Sequence, residues 1–158
     1  MLTTKNAVPV PRYENFTPRS LRTSQVGSSN RRQDTTPEIM LRTAMSTLGL
    51  RYRSNVRTLP GCPDLVLSRP RIAIFCDGDF WHGRQWQKRK RQLKAGWNAQ
   101  YWVAKIERNR ARDRAVARAL RQLGWCVIRV WEGDIRRDSL RVAQNILKSA
   151  RTRSASLP

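Results

Sequence analysis

The sequence is poor in acidic residues. It has 11 Asp and Glu against 32 Lys and Arg, a formal net charge of +21 over 158 residues. A chain this basic needs an anionic partner, and nucleic acid is the best candidate because each phosphate that is neutralised releases condensed counterions. Solubility alone does not require such an imbalance. The charge therefore favours a nucleic-acid-binding protein over a protein that handles neutral or basic ligands.

Cysteine and long apolar segments are also scarce. The three cysteines, Cys62, Cys76 and Cys126, form no paired disulfide framework, so reduced thiols in a cytosol are the expectation. No apolar run approaches the ~20 residues of a membrane-spanning helix. The N-terminal stretch lacks the continuous apolar segment of a signal peptide. We therefore expect a cytoplasmic protein without a membrane partner.

The composition along the chain predicts one domain with two loose ends. Residues 1–33 are rich in Pro, Ser, Thr, Asn and Arg and predict a flexible basic arm. Residues 34–150 carry the apolar periodicity of a folded domain. Residues 151–158 predict a loose C-terminal tail.

Within the domain, the patterns predict a mixed sheet flanked by helices, an α/β fold. Thr36 is the predicted N-cap of the first helix, Pro37 its first helical residue and Gly49 its end. "DLVLS" and "RIAIFC" predict a hairpin. The remaining segments are a basic stretch at 83–101 that forms a loop or a short helix, a helix from about 101 to 123, the buried strand "WCVIRVWEG" and the final helix "DSLRVAQNILKSA".

Two scarce acids lie at the ends of the predicted hairpin strands. Asp64 opens one strand and Asp77 closes the next, and in an antiparallel pair those ends are neighbours. Two adjacent carboxylates repel unless a cation binds between them or one is protonated. Mg²⁺ accepts such carboxylates together with water and substrate phosphate, and the Cys76 carbonyl is placed to help. The alternative is that both aspartates only cap turns.

The long helix adds two polar groups to an apolar face. Ile106, Asn109, Asp113, Val116 and Leu120 fall on one side of a helical wheel. Buried polar groups need partners, because an unpaired one costs roughly 1–3 kcal/mol. The water shell of a metal ion would supply them, and hydrogen bonds to neighbouring backbone are the alternative. Lys105 and Glu107 are expected on exposed faces of the same helix.

The segment "IFCDGDFWH" also contains the only histidine, His82, after two aromatic residues. A histidine accepts a proton near neutral pH, so His82 is a candidate to activate an attacking water; a purely structural role is the alternative. Phe80 and Trp81 are either core anchors or wedges between base steps of DNA.

These segments together resemble a known family. The blocks "DTTPEIMLR", "GLRYRSNVRTLPGCPDLV", "IAIFCDGDFWHG", "YWVAKIERNRARDR" and "LGWCVIRVWE" occur in the order and with the spacing of the very short patch repair endonucleases, of the restriction-endonuclease-like superfamily. The match runs from about residue 34 to residue 134. The resemblance implies a restriction-endonuclease-like three-layer fold with a central mixed β-sheet.

The resemblance also implies an activity: a Mg²⁺-dependent endodeoxyribonuclease that nicks double-stranded DNA beside the T of a T·G pair, which arises when 5-methylcytosine deaminates. It places the metal at Asp64 and the Cys76 carbonyl, and metal-bound waters at Asn109 and Asp113. It makes His82 the catalytic histidine.

Other positions follow from the same resemblance. Glu38 matches an acid near the site, and Phe80 and Trp81 match aromatics that enter the duplex. Asp77 stands where the best-known members have His, so it either binds metal directly or takes over part of that histidine's work. The charge of the basic insert after His82, which is longer than in the familiar members, independently predicts residues that hold DNA phosphates: Arg84, Lys88 and Arg89.

The sequence departs from the family at the zinc positions. Family members often bind structural Zn²⁺ through Cys and His where this chain has Asp79, Arg84 and Gly133, so we predict no structural zinc. Two other functions stay open. One is a non-catalytic DNA-binding module, and the other is a same-fold nuclease with a different target, such as a restriction or phage-defence partner. We expect a bacterial, nucleoid-associated monomer.

Overall fold

The computed structural model describes residues 33–155. The predicted basic arm at 1–33 therefore lies almost entirely outside the described residues. The elements, in chain order, are α1 (Thr36–Thr47), β1 (Arg53–Ser54), β2 (Leu65–Leu67), β3 (Ile72–Asp77), α2 (Trp86–Lys94), α3 (Ala99–Gln122), β4 (Cys126–Trp131) and α4 (Glu132–Ala155).

The described residues divide into two compact units. The helical unit is Phe80–Asp113, and it holds α2 and the first part of α3. The sheet unit comprises residues 33–79 and 114–155, with all four strands, α1, α4 and the last part of α3. None of the helices in this described part is long and apolar enough to cross a membrane.

The sheet has the order β1-β2-β3-β4. β1 pairs with β2 and β2 with β3 in antiparallel fashion, whereas β3 and β4 are parallel. The hairpin predicted from the sequence is confirmed, with Leu65 opposite Ile74 and Leu67 opposite Ile72. The mixed sheet and the α/β class are confirmed as well.

The two faces of the sheet are covered by different helices. Alternate residues of β3 point to opposite faces. Ile72 and Ile74 belong to a cluster with residues of α1 and α4, such as Met45 and Ile146. Ala73 and Phe75 lie on the other face, against Leu120 of α3 and its neighbours. The sheet unit is therefore three-layered, and the packed sheet holds the side chains at its strand ends in fixed positions.

Local hydrogen bonds surround the start and the end of α1. Thr35, rather than the predicted Thr36, is the N-cap, and Pro37 lies in the first turn. Glu38 accepts hydrogen bonds from the Thr35 hydroxyl at 2.8 Å and from the Asp34 amide at 2.9 Å, which satisfies groups at the helix start. Gly49 ends the helix as predicted, with φ +72° and its amide donating to Ser46.

Two expectations about the C-terminal part are wrong. The tail predicted at 151–158 is helical as far as Ala155; residues 156–158 lie outside the described residues. Arg153 anchors this end by donating to the Pro70 carbonyl at 2.9 Å and to the Gly124 carbonyl at 2.7 Å. β4 forms a strand as predicted, but every residue in it is half-buried rather than buried.

The basic stretch after His82 contains a helix. Of the two predicted alternatives, the short helix is confirmed as α2, which begins after Gln85 and has no fully buried residue. The long helix predicted from about 101 to 123 is confirmed as α3. Trp86 of α2 lies under two cations, Lys90 at 5.8 Å and Arg110 of α3 at 5.6 Å. The contact of Arg110 with Trp86 therefore packs α3 against α2 within the helical unit.

Candidate active site

An acid cluster, defined as Glu38, Asp64 and Asp77, lies in the sheet unit. Asp64 immediately precedes β2, and its Oδ2 accepts a hydrogen bond from the Cys76 amide at 2.7 Å. Extending the β2–β3 register by one residue places Asp64 opposite Phe75. Asp77 lies on that same face by the alternation of β3. The two aspartates therefore share one face of the sheet, as expected for residues at the adjacent ends of two antiparallel strands.

The surroundings of Asp64 disfavour its charged form. Burial, together with the charges of Glu38 and Asp77, raises the pKa of Asp64 to about 6, against the lowering effects of the Cys76 amide and of Arg129. Such a carboxylate gains from any additional cation that reaches it. Cys76 itself offers no reactive thiol, since burial raises the pKa of that group far above its usual range.

Asp77 has a fixed partner that the sequence reading missed. Arg129 of β4 donates through Nε to Oδ2 at 2.5 Å and through Nη2 to Oδ1 at 2.6 Å. The Asp77 side chain is only 4% exposed. Arg129 also lies over the Phe75 ring, 4.8 Å from its centroid. A lone arginine in the apolar strand "CVIRVW" was the available signal. The proposal that Asp77 binds metal directly is untested, but both its oxygens already accept from Arg129.

Glu38 is buried, with 6% of its surface exposed. Both its carboxylate oxygens serve the start of α1, one accepting from Asp34 and the other from Thr35. It lies close enough to Asp64 to influence that carboxyl. Its observed contacts are structural, and the catalytic role given by the resemblance stays a prediction.

The helical unit holds an imidazole–carboxylate pair. His82 Nδ1 lies 2.6 Å from Asp113 Oδ2, with side chains 20% and 15% exposed. An ionised carboxylate only accepts hydrogen bonds, so this contact favours the tautomer that donates from Nδ1 and has Nε2 as its acceptor nitrogen. Asn109 donates to the Trp81 carbonyl at 3.0 Å. Asn109 thus has the backbone partner of the second alternative, whereas Asp113 is paired with the His82 side chain, which neither alternative included. That either residue binds metal-held water stays a prediction.

Aromatic residues form a cluster in the same unit. Phe80 packs edge-on against Trp81 at 5.2 Å and against Trp102 at 5.4 Å between ring centroids. Lys105 lies over Trp81 at 5.1 Å and over Trp102 at 5.6 Å. Phe80 and Trp81 are half-buried, so they have both a packing partner and an accessible surface. The sequence reading missed Trp102.

The two charged residues of α3 that were expected on exposed faces are not fully exposed. Lys105 is half-buried against the aromatic rings and donates to the Tyr101 hydroxyl at 3.0 Å. Glu107 accepts from Lys90 at 2.6 Å, and both side chains are 32% exposed. Their partners come from a neighbouring helix and from aromatic packing, which a helical wheel does not include.

The predicted phosphate-binding residues belong to α2 and the turn before it. Lys88 is exposed, while Arg84 and Arg89 are half-buried. Arg89 lies over the Phe80 ring at 5.6 Å. The placement is compatible with contacts to DNA phosphates, and their role stays a prediction.

The donor set fits Mg²⁺ better than it fits Zn²⁺. Within residues 33–155, no group of three or more His, Cys, Asp or Glu is arranged to hold a metal ion. Mg²⁺ needs only one or two carboxylates, because water and substrate phosphate complete its octahedron. Asp64 suits this, since in the described part of the chain only its Oδ2 accepts a hydrogen bond. At the family's zinc positions, the Asp79 amide donates to Glu132 at 3.1 Å and Asp79 accepts from Gly133 at 3.4 Å; the predicted absence of zinc stays a prediction.

A mixed sheet between helical layers, with acids at adjacent strand ends, defines an α/β protein of restriction-endonuclease-like architecture. A family model described as DNA mismatch endonuclease Vsr matches residues 15–88. The chain belongs to the Vsr family of DNA endonucleases. It is therefore a hydrolase that cleaves DNA.

Curated relatives support this assignment over most of the chain. Type II nicking enzyme V.NmeDIP of Neisseria meningitidis serogroup C is 41% identical over 123 residues, 78% of this chain and 82% of that protein. Type II nicking enzyme V.HpaIIP of Haemophilus parainfluenzae is 40% identical over 122 residues, 77% and 85% of the two chains. DNA mismatch endonuclease Vsr of Escherichia coli (strain K12) is 36% identical over 104 residues, 66% and 65%.

Proposed function

We propose that this endonuclease uses Mg²⁺ to nick one strand of duplex DNA beside the T of a T·G mismatch, as in very short patch repair. The observation that carries the proposal is the acid cluster, in which Asp64 is held by the Cys76 amide and surrounded by like charge. The resemblance to very short patch repair endonucleases supplies the substrate.

Asp64 would hold the metal ion, with the Cys76 carbonyl as a second ligand. When bound, the ion lowers the pKa of water and stabilises charge on the leaving oxygen. The amide of Cys76 orients Asp64 through Oδ2, and Oδ1, which accepts no hydrogen bond from residues 33–155, would coordinate the ion. Arg129 neutralises Asp77, so this second acid adds less repulsion around Asp64.

His82 would remove the proton from the attacking water. Asp113 would fix the ring orientation and hold the proton on Nδ1. Nε2 would then be the nitrogen that accepts the proton from water. The carboxylate also stabilises the imidazolium that forms after proton transfer. This arrangement supports a catalytic function over a purely structural histidine.

The proposed substrate rests on the comparisons and on charge. The matching family model and the E. coli relative are both described as mismatch endonucleases, and several relatives as nicking enzymes. Lys88, Arg84 and Arg89 would hold phosphates, which fixes register without reading sequence. Phe80 and Trp81 would contact unstacked bases at the mismatch.

A panel of labelled duplexes tests the proposal. Duplexes of one length carry a T·G pair, the matched C·G or T·A pair, the other mismatches, or 5-methylcytosine, and each is incubated with protein and Mg²⁺ or with EDTA. The proposal expects a single nick in one strand of the T·G duplex, in Mg²⁺ only. Cleavage of matched or methylated duplex instead would identify a same-fold nuclease with another target. Binding without cleavage of any duplex would identify a non-catalytic DNA-binding module.

A further inference from the structure

A basic groove lies in the sheet unit, away from the acid cluster. Its volume is about 480 Å³, and Gly49, Leu50, Arg51, Leu67, Arg69, Pro70, Leu147, Ala150, Arg151 and Ser154 line it. The lining comes from the end of α1, the β2–β3 turn and the end of α4. No residue proposed for cleavage belongs to it.

Three guanidinium groups of this groove have no partner among residues 33–155. Arg51, Arg69 and Arg151 are exposed, and none of them forms a hydrogen bond or an ion pair with any residue in the described range 33–155. No Asp or Glu lines the groove. Three like charges around one concavity repel each other, so an anion that enters it relieves that repulsion.

Two neighbouring arginines show what a structural arginine does at this end of the fold. Arg71 donates to the Leu123 carbonyl at 2.7 Å, and Arg153 donates to the carbonyls of Pro70 and Gly124. These partners are neutral, so they leave the positive charge uncompensated. In the part of the chain that the structure describes, Arg51, Arg69 and Arg151 make no comparable hydrogen bonds, so the packing of that part does not account for their place at the groove.

The groove and the acid cluster lie at opposite ends of the hairpin. Asp77 closes β3, whereas Pro70 and Arg69 precede its first residue, Ile72. Six residues of strand separate the two ends by about 17 Å at roughly 3.3 Å per residue. That distance corresponds to about five base pairs, at 3.4 Å each.

We propose that Arg51, Arg69 and Arg151 bind backbone phosphates of the duplex that flanks the cut site. Guanidinium groups bind phosphate oxygens in pairs and keep their charge at any working pH. The protein's substrate is DNA, so the phosphates of that same molecule are the anions favoured for this groove. The inference rests on membership of a DNA endonuclease family and not on mismatch specificity or on metal.

The salt dependence of DNA binding tests the groove. The triple variant Arg51→Gln, Arg69→Gln, Arg151→Gln is compared with the parent in EDTA, on a matched duplex of about 30 base pairs, across a series of salt concentrations. The control variant Arg114→Gln, Arg118→Gln, Arg121→Gln removes the same charge from exposed arginines of α3. Because cleavage and mismatches are absent, failure of the proposed function does not affect this result.

Each phosphate contact contributes about 0.9 to the slope of log K against log salt. The groove variant is therefore expected to lose about 2–3 from the slope, and the control variant less than about 1. Thermal unfolding checks that both variants fold.

Three results would overturn the proposal. An unchanged slope on the long duplex excludes a phosphate contact at the groove. Equal losses in the groove and control variants would mean that only net charge matters. A groove variant that has lost binding of inorganic phosphate but keeps the parent's slope on the long duplex would assign the groove to a small anion instead of DNA.

Discussion

Arg129 and Asp77 are joined by two parallel hydrogen bonds between adjacent parallel strands, at 2.5 and 2.6 Å. The Asp77 side chain is almost completely buried, with 4% of its surface exposed. A buried carboxylate is tolerated when its charge is paired and its oxygens accept hydrogen bonds. Of the two aspartates at the strand ends, Asp77 is thus compensated by the protein, whereas Asp64 is left with an elevated pKa.

Replacing Arg129 with Met should destabilise the protein strongly. Asp77 would keep its burial and lose its counter-charge, a situation that typically costs about 3–5 kcal/mol in the free energy of unfolding. Urea denaturation measures the free energy of unfolding. The double variant Asp77→Asn, Arg129→Met should recover most of the stability lost in Arg129→Met. The matched control is Arg137→Met, which removes the exposed pair with Asp134 and should cost less than about 1 kcal/mol. Equal costs for the two single variants would show that the Asp77–Arg129 pair is not a buried one.

Asp64→Asn should stabilise the protein at neutral pH in the absence of divalent cations. The pKa of Asp64 is about 6 in the folded state against an ordinary value of 3.8. Between these values the folded state holds more protons than the unfolded state, so stability falls as pH rises through about 4 to 6 and stays lower above. Asn does not ionise. The variant's advantage should reach at most about 3 kcal/mol above pH 7 before solvent screening is allowed for, and it should vanish near pH 4.

Thermal unfolding from pH 4 to pH 8 in EDTA measures this difference. The variant retains an acceptor oxygen for the Cys76 amide, so the hydrogen bond itself is preserved. A stability difference between variant and parent that does not change with pH would show that the pKa of Asp64 is not elevated in the folded protein. Addition of Mg²⁺ at pH 7.5 should raise the unfolding temperature of the parent and leave the Asp64→Asn variant unchanged.

Asp113→Asn should slow nicking without weakening DNA binding. The amide no longer holds the proton on Nδ1, so His82 loses both its favoured tautomer and the stabilisation of its charged form. General base catalysis of this type contributes about 10²–10⁴ in rate. Single-turnover nicking and a binding titration in EDTA separate the two effects. Because the residues act as a unit, His82→Ala and the double variant should be about equally slow; additive losses would show that the pair does not act together.

Gly83→Ala should disturb the loop that carries His82. Gly83 has φ +66°, and an added Cβ would lie 2.9 Å from Ile106 Cγ2 and 3.1 Å from the Trp86 ring. Overpacking together with a left-handed backbone costs about 1–3 kcal/mol. Gly96→Ala is the control, since its nearest contact would be 3.4 Å from the Leu93 carbonyl and its φ is not positive. Urea denaturation should give a clearly larger loss for Gly83→Ala; similar values would mean that the loop has room for a methyl group.

The sequence predicted those features that local chemistry specifies. Pro37 in the first turn and Gly49 after the last turn mark the ends of the first helix, and the Pro-containing turn at 69–71 connects the hairpin. Asp64 and Asp77 were expected to be neighbours because antiparallel strand ends meet. These signals operate within a few residues or through one hairpin, so a single sequence contains them.

Features that depend on distant partners were missed or wrong. Arg129 is paired across 52 residues of sequence, and Arg153 anchors the end of α4 across 83. Without knowledge of these contacts, an arginine in an apolar strand is expected to point into solvent. A polar C-terminal segment is likewise expected to be a loose tail. Lys105 was misplaced for the same reason, since its aromatic partners lie partly outside its own helix.

Nicking of a T·G duplex by the parent and by Asp64→Asn, at saturating protein in Mg²⁺, tests the central claim most directly. A gel-shift titration in EDTA establishes that both proteins occupy the DNA equally. The account predicts a nick in one strand with the parent and, with the variant, a rate lower by at least about 10² because the metal-holding carboxylate is gone. Equal nicking rates would show that Asp64 does not hold the catalytic metal ion.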